Sequence, residues 1–184
     1  IQARQLITQA KPIYWLTSGV HSTERGGPEM LTELAYRLVV EDSPFIQQIR
    51  NGVITLITPV VEVDGRERVV DTFYYNAKRQ AEGKAGTLGM PYWGKYVAHD
   101  NNRDGMGQFL SMTKNVMKLA SEWKPTVLHD LHEAAQLLYV STGTGPYNEQ
   151  LDAITINEWW MFAQNDVMEM TKRGVPGVWT YGFY

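Results

Sequence analysis

His21 and Glu24 stand three residues apart, and His132 follows far along the same chain. Imidazole nitrogen and carboxylate oxygen are both good ligands for Zn²⁺. A catalytic zinc site takes three protein ligands and keeps one position for water. A short spacer fixes two ligands locally, and the fold must deliver the third. The His-x-x-Glu step is ambiguous in isolation, because it also suits a surface turn or a hydrogen bond at a helix start. His129 competes with His132 for the third position. The two lie three residues apart on an extended segment, so they face opposite sides. Asp130 shares the side of His132, where it serves function or shapes the strand exit, and Glu133 turns away from it. With no Cys in 184 residues, a thiolate metal site and a disulfide framework are both excluded.

Such residues need elements to hold them. Ile13 to Val20 is rich in β-branched and aromatic residues and reads as a buried strand, with His21 directly after it. A helix opens at Gly26-Gly27-Pro28, where Met30, Leu31, Leu34, Ala35 and Leu38 recur at helical spacing. Asp42-Ser43-Pro44 breaks it, and Pro44 suits the first turn of a short helix through Phe45 and Ile49. Val53 to Val61 reads as a second buried strand. Residues 62–100 show no clear period, with Asp64-Gly65 and Gly83, Gly86 and Gly89, and are expected to be irregular. Gly105 to Trp123 turns helical again, with Phe109, Met112, Val116, Leu119 and Ala120 on one side. Pro125 to Leu131 is a third strand, Ala134 to Val140 a fourth, and Leu151 to Lys172 a long helix. Alternating strands and helices, with near-continuous apolar strands, predict an α/β fold: three α/β/α layers around a mixed, largely parallel sheet. Ligands in such sheets bind beyond the carboxyl ends of strands. His21, Glu24 and His132 all fall there.

The composition is that of a globular chain, 43% apolar and 20% charged, which argues against disorder. Lys and Arg number 17 against 20 Asp and Glu, so no basic surplus points to nucleic acid. The longest strongly apolar stretches run to about ten residues, half of what a membrane span needs. Ile1 to Leu6 lack the order of a signal peptide. The chain begins at Ile1 and ends in Trp179-Thr180-Tyr181-Gly182-Phe183-Tyr184, and it reads as a piece of something longer.

The segment from Lys11-Pro12 through Gly19-Val20-His21-Ser22-Thr23-Glu24 resembles the zinc carboxypeptidases, the carboxypeptidase A/B-like metallopeptidases, which carry a strand ending in G-[IV]-H-x-x-E. Three further segments follow in the family's order. Glu62-Val63-Asp64-Gly65 stands where the family has N-P-D-G. Asp100-Asn101-Asn102-Arg103-Asp104 is similar to its N-R-N or N-R-D segment. Leu131-His132-Glu133-Ala134-Ala135-Gln136-Leu137-Leu138 is similar to the strand with the third zinc ligand.

This resemblance implies one zinc ion held by His21, Glu24 and His132, and hydrolysis of the C-terminal peptide bond of a peptide or protein. It implies that Asn102 and Arg103 grip the terminal carboxylate. It also places an oxyanion-stabilising Arg after the Asp-Gly segment, where Arg79 is the candidate and Lys78 the reserve. Thr23 replaces a further carboxylate-binding Arg of the family. The family's general base, a Glu, and its substrate-capping Tyr lie well downstream of the third ligand. On that basis residues 1–184 are expected to be a partial catalytic domain without the general base. Tyr184 fits the capping Tyr by count alone, and Glu133, Glu149 and Glu158 have no motif behind them as substitute bases. Two other functions stay open: an amide hydrolase or deacylase of the same superfamily, suggested by Asp130-Leu131-His132, and a non-catalytic module that binds peptide C-termini. Many relatives act outside the cytoplasm, so an extracellular or periplasmic setting is the expectation.

Overall fold

Ile13–Ser18 forms β1, the middle strand of a parallel sheet in the computed structural model, which describes residues 2–133, 138–139 and 150–180. β2, Ile54–Thr58, lies on one side of β1, with Ile13 opposite Ile54 and Thr17 opposite Thr58. β3, Val127–Leu131, lies on the other, with Tyr14 opposite Val127 and Ser18 opposite Leu131. A strand flanked on both sides has to satisfy its buried polar groups inside the protein. The Trp15 indole N–H donates to Thr58 Oγ1 at 3.0 Å, Thr17 Oγ1 to an Asp130 oxygen at 2.7 Å, and Ser18 Oγ to the Pro59 carbonyl at 2.5 Å.

Two helices connect β1 to β2. α2 is Gly26–Val40 and buries Pro28 and Leu31. Leu34, Ala35 and Leu38 share that inward side, whereas Met30 is 45% exposed and falls outside the expected stripe. α3 is Pro44–Gly52. The Ser43 hydroxyl accepts from the Ile46 N–H, Pro44 occupies the first turn, and Ile46 is the buried anchor. These helices and the three strands realise the α/β class, with a sheet of three strands, all parallel, among the described residues.

The region expected to be irregular is half helix. α4 runs Val63–Ala81 and α1 covers Gln2–Gln9. Asp64-Gly65 belongs to the stretch expected to be irregular, yet Glu62 caps the helix by accepting the Gly65 N–H at 3.0 Å, so the pair sits inside its first turn. Along α4 only Gly65 and Val69 are buried, while Val70, Phe73, Tyr74 and Tyr75 are exposed. No inward apolar stripe exists for periodicity to find. α1 buries nothing. The segment after α4 is stitched back onto it: Asn76 exchanges two hydrogen bonds with the Leu88 backbone, and Arg68 donates to the Lys95 carbonyl. Asn101–Arg103 makes a single 3₁₀ turn. α5 begins at Ser111 and ends at Trp123. Residues 105–110 stay outside it, because Asp104 takes the N–H groups of Phe109 and Leu110 and Gln108 adopts a positive φ of 49°.

Residues 1–133 form one compact unit and residues 134–184 a second. In the second, α6 is Ala153–Lys172, opened by Asp152, whose carboxylate accepts from Ile154 and Thr155. The expected fourth strand is described only at β4, Leu138–Tyr139, which pairs in parallel with β5, Val178–Trp179. Gln136, Leu137, Glu149 and Tyr184 lie outside the described residues. No described helix is long and apolar enough to cross a membrane.

Candidate metal centre

Beyond Ser18 the chain passes Gly19, at φ +63°, and folds into a tight turn in which the Glu24 N–H donates to the His21 carbonyl at 3.0 Å. That turn brings His21 and Glu24 to the carboxyl edge of the sheet, where β3 delivers His132 directly after Leu131. One ligand atom from each residue can be chosen so that all three lie within 4.8 Å of one another. Glu24 Oε1 is 2.6 Å from His21 Nδ1, and its Oε2 is 2.9 Å from His132 Nδ1.

The far side of each imidazole also meets a carboxylate. His21 Nε2 is 3.3 Å from Asp100 Oδ1, and His132 Nε2 is 2.7 Å from Asp130 Oδ2. A ligating histidine usually donates its second N–H to such a group, which fixes tautomer and ring orientation. An Nε2–H given to Asp100 or Asp130 leaves Nδ1 as a lone pair facing the Glu24 carboxylate. Lone pairs facing a carboxylate need a cation between them, either a proton or a metal ion. The rise in the His132 pKa has the same origin. Its largest cause is the Asp130 hydrogen bond, burial opposes it, and the charges of Asp130 and Glu24 add to it. The donor set therefore fits a divalent ion with nitrogen and oxygen ligands.

Glu133 is engaged elsewhere. Its backbone N–H donates to Glu24 Oε2 at 2.9 Å, while its carboxylate accepts the Gly26 N–H at the start of α2. A carboxylate there complements the helix dipole. His129 Nδ1 pairs with the Tyr14 hydroxyl at 2.9 Å, and the two rings meet edge-on.

Asn102 and Arg103 are exposed and lie in the 3₁₀ turn, which Asp100 opens by accepting the Asn102 N–H at 2.9 Å. The same Asp100 oxygen contacts His21, so the turn presenting Asn102 and Arg103 starts at a residue that touches a candidate ligand. Buried Asn101 reinforces the link, with its side-chain amide donating to the Val20 carbonyl.

Arg79 is not brought to this place. The start of α4 lies beside the site, since the Glu62 N–H donates to the Gly19 carbonyl at 3.0 Å. Arg79 is in the last turn, about 25 Å further along the axis at 1.5 Å per residue. It donates to the Ala85 carbonyl at 2.7 Å and lies over the Tyr75 ring. Lys78 shares that end, and Glu158 belongs to α6 in the second unit. The Arg79 expectation rested on its place after the Asp-Gly segment, and the helix carries that place away from the three candidate ligands.

Two contacts are not legible as motifs. Asp100 stands in the sequence as the first residue of the Asp100–Asp104 segment, and its contact with His21 joins parts of the chain far apart in sequence, where the signal is the need of His21 for a partner at its second nitrogen. Trp93, whose ring stacks on His21 with centroids 4.1 Å apart, carries no motif signal.

A search of curated proteins finds no match. The zinc carboxypeptidase family profile, in contrast, matches residues 3–158. That span covers most of the chain and includes His21, Glu24, Asn102, Arg103 and His132. On the strength of that match, the chain belongs to the zinc carboxypeptidase family.

Proposed function

We propose that this chain carries the zinc-binding and carboxylate-recognising part of a metallocarboxypeptidase, with one zinc ion on His21, Glu24 and His132. The observation that carries this reading is the convergence of the three donors on one point, with both histidines backed by carboxylates. When bound, zinc supplies Lewis acidity for carbonyl polarisation and water activation. The chain's own residues do the rest. Asp100 and Asp130 orient the imidazoles. Arg103 offers a planar fork that meets a carboxylate in two parallel hydrogen bonds, a geometry suited to the charged end of a peptide. Asn102 adds an amide donor beside it.

A specific observation favours low activity for the chain as it stands. Among the described residues, the acidic side chains around the three donors are engaged: Asp100 with His21 and the Asn102 N–H, Asp130 with His132 and Thr17, and Glu133, whose backbone N–H meets Glu24, with the Gly26 N–H. Proton relay to a leaving amine needs a carboxylate within reach of the reacting atoms. The second reading, a module that binds peptide C-termini without cutting them, rests on this engagement.

Metal analysis and a cleavage assay on the purified chain test both. We expect one zinc per chain, lost in His21→Ala and in His132→Ala, with slow, chelator-sensitive release of C-terminal residues. Zinc retained in both variants rejects the metal reading. Robust trimming rejects the second one. Turnover of acylated amino acids without peptide trimming reassigns the chemistry to amide hydrolysis.

A further inference from the structure

His21 is held from three directions. Glu24 meets its Nδ1 and Asp100 its Nε2. Hydrogen bonds at the two nitrogens set which atoms point where, but they leave the tilt of the ring soft, because the terminal torsion of a histidine has a broad minimum. The third constraint acts on the ring plane. The Trp93 indole stacks on the His21 imidazole with centroids 4.1 Å apart and planes 24° from parallel.

Trp93 is itself anchored by backbone. Its carbonyl accepts from Ser22 Oγ at 2.6 Å, and Ser22, 1% exposed, lies inside the His21–Glu24 turn. The approach is close enough to exclude a side chain at Gly65 in the first turn of α4. A Cβ there would run into the Trp93 carbonyl oxygen and come within 2.9 Å of Ser22 Cβ. Thus the segment after α4 reaches the ligand turn twice, by its Trp93 backbone on Ser22 and its indole on His21, before Asp100 closes the far side.

We propose that Trp93 is a positioning residue of the metal centre: its indole, fixed by Ser22 and the space left at Gly65, holds the His21 ring in the plane that directs Nδ1 at the ion. This rests on the zinc reading above. Pre-organised ligands are not immobilised at the moment of binding, so the contribution appears in metal affinity. Partners of ligating residues commonly change that affinity by about 10–100-fold when removed.

The test is zinc titration of the full chain against a chromophoric chelator, with tryptophan emission followed in parallel. Trp93→Leu keeps bulk and loses the aromatic face; it is expected to bind zinc at least tenfold more weakly at an unchanged thermal midpoint of the zinc-free form. Trp93→Phe keeps a ring and is expected to stay within about threefold of wild type. Gly65→Ala, which displaces the Trp93 backbone and touches no ligand, is expected to weaken zinc as Trp93→Leu does. Zinc-dependent emission should be present in wild type and absent in Trp93→Phe. Wild-type zinc affinity in Trp93→Leu, alongside zinc loss in His21→Ala, overturns this inference and leaves the metal reading standing. Equal loss in Trp93→Leu and Trp93→Phe also overturns it, because a generic stack would survive in the phenylalanine variant. A wild-type chain that holds no zinc overturns the metal reading and the inference with it.

Discussion

Asp130 places one carboxylate oxygen 2.7 Å from His132 Nε2 and the other 2.7 Å from the Thr17 hydroxyl. Thr17 is a buried residue of the central strand. The third proposed ligand is therefore tied through one side chain to the most enclosed strand of the sheet. Asp130→Ala is expected to weaken zinc by about 10–100-fold, the usual cost of losing a carboxylate behind a ligating histidine. Asp130→Asn, which can still accept at one oxygen, should fall between. Chelator competition measures both, and zinc affinity unchanged in Asp130→Ala contradicts the relation.

His129 is two residues before Leu131 on the same strand, yet it is expected to be irrelevant to the metal. It pairs with Tyr14 on another side. His129→Phe should retain full zinc stoichiometry and destabilise the fold by about 1 kcal/mol, the net worth of an ordinary hydrogen bond. Metal analysis and denaturant unfolding separate the two effects. Loss of zinc in this variant would transfer the ligand role from His132 to His129.

Arg103 and Arg79 give opposite expectations. Arg103→Ala should weaken binding of a peptide with a free C-terminal carboxylate by about 2 kcal/mol, roughly thirtyfold, the worth of hydrogen bonds to a charged group. It should leave the C-terminally amidated peptide untouched. Arg79→Ala, at the distant end of α4, should change neither. Calorimetric titration of the zinc-loaded chain checks all four combinations. A dependence on Arg79 would require that helix to move.

Much of this was readable from the chain, and the limits have physical causes. Strands β1 to β3 were legible because a buried parallel strand is a run of apolar and β-branched residues, as in Ile13-Tyr14-Trp15-Leu16. α2 was legible through Leu31, Leu34 and Leu38. α4 was not, because a helix that buries only Gly65 and Val69 has no apolar stripe. The candidate ligands could be named from type and order. Their supports, Asp100, Asp130 and Trp93, act through contacts between segments distant in sequence, which no local spacing encodes.

Asp104 bears on acid stability. It is fully buried. Burial pushes its pKa up, but the Thr113 hydroxyl, the N–H groups of Leu110 and Phe109, and the nearby His99 prevail and hold it down at about 2. His99 Nε2 lies 3.3 Å from one Asp104 oxygen and is the described titratable side chain at ion-pair distance from it. An unfolded Asp titrates near 3.9. As pH falls below that value, the unfolded chain takes up a proton that the folded carboxylate still refuses, so stability drops with pH. The contribution is fully present above about pH 5 and is lost as pH passes down through about 2. Asp104→Asn should be less stable than wild type at neutral pH, since an amide offers one acceptor oxygen where the Phe109 and Leu110 N–H groups use two. The gap between the two proteins should narrow as pH falls toward 2, where half of the wild-type carboxyl in the folded state is protonated. Denaturant midpoints between pH 2 and 7 measure this, and curves that run parallel over the whole range would show that Asp104 does not carry the acid limb.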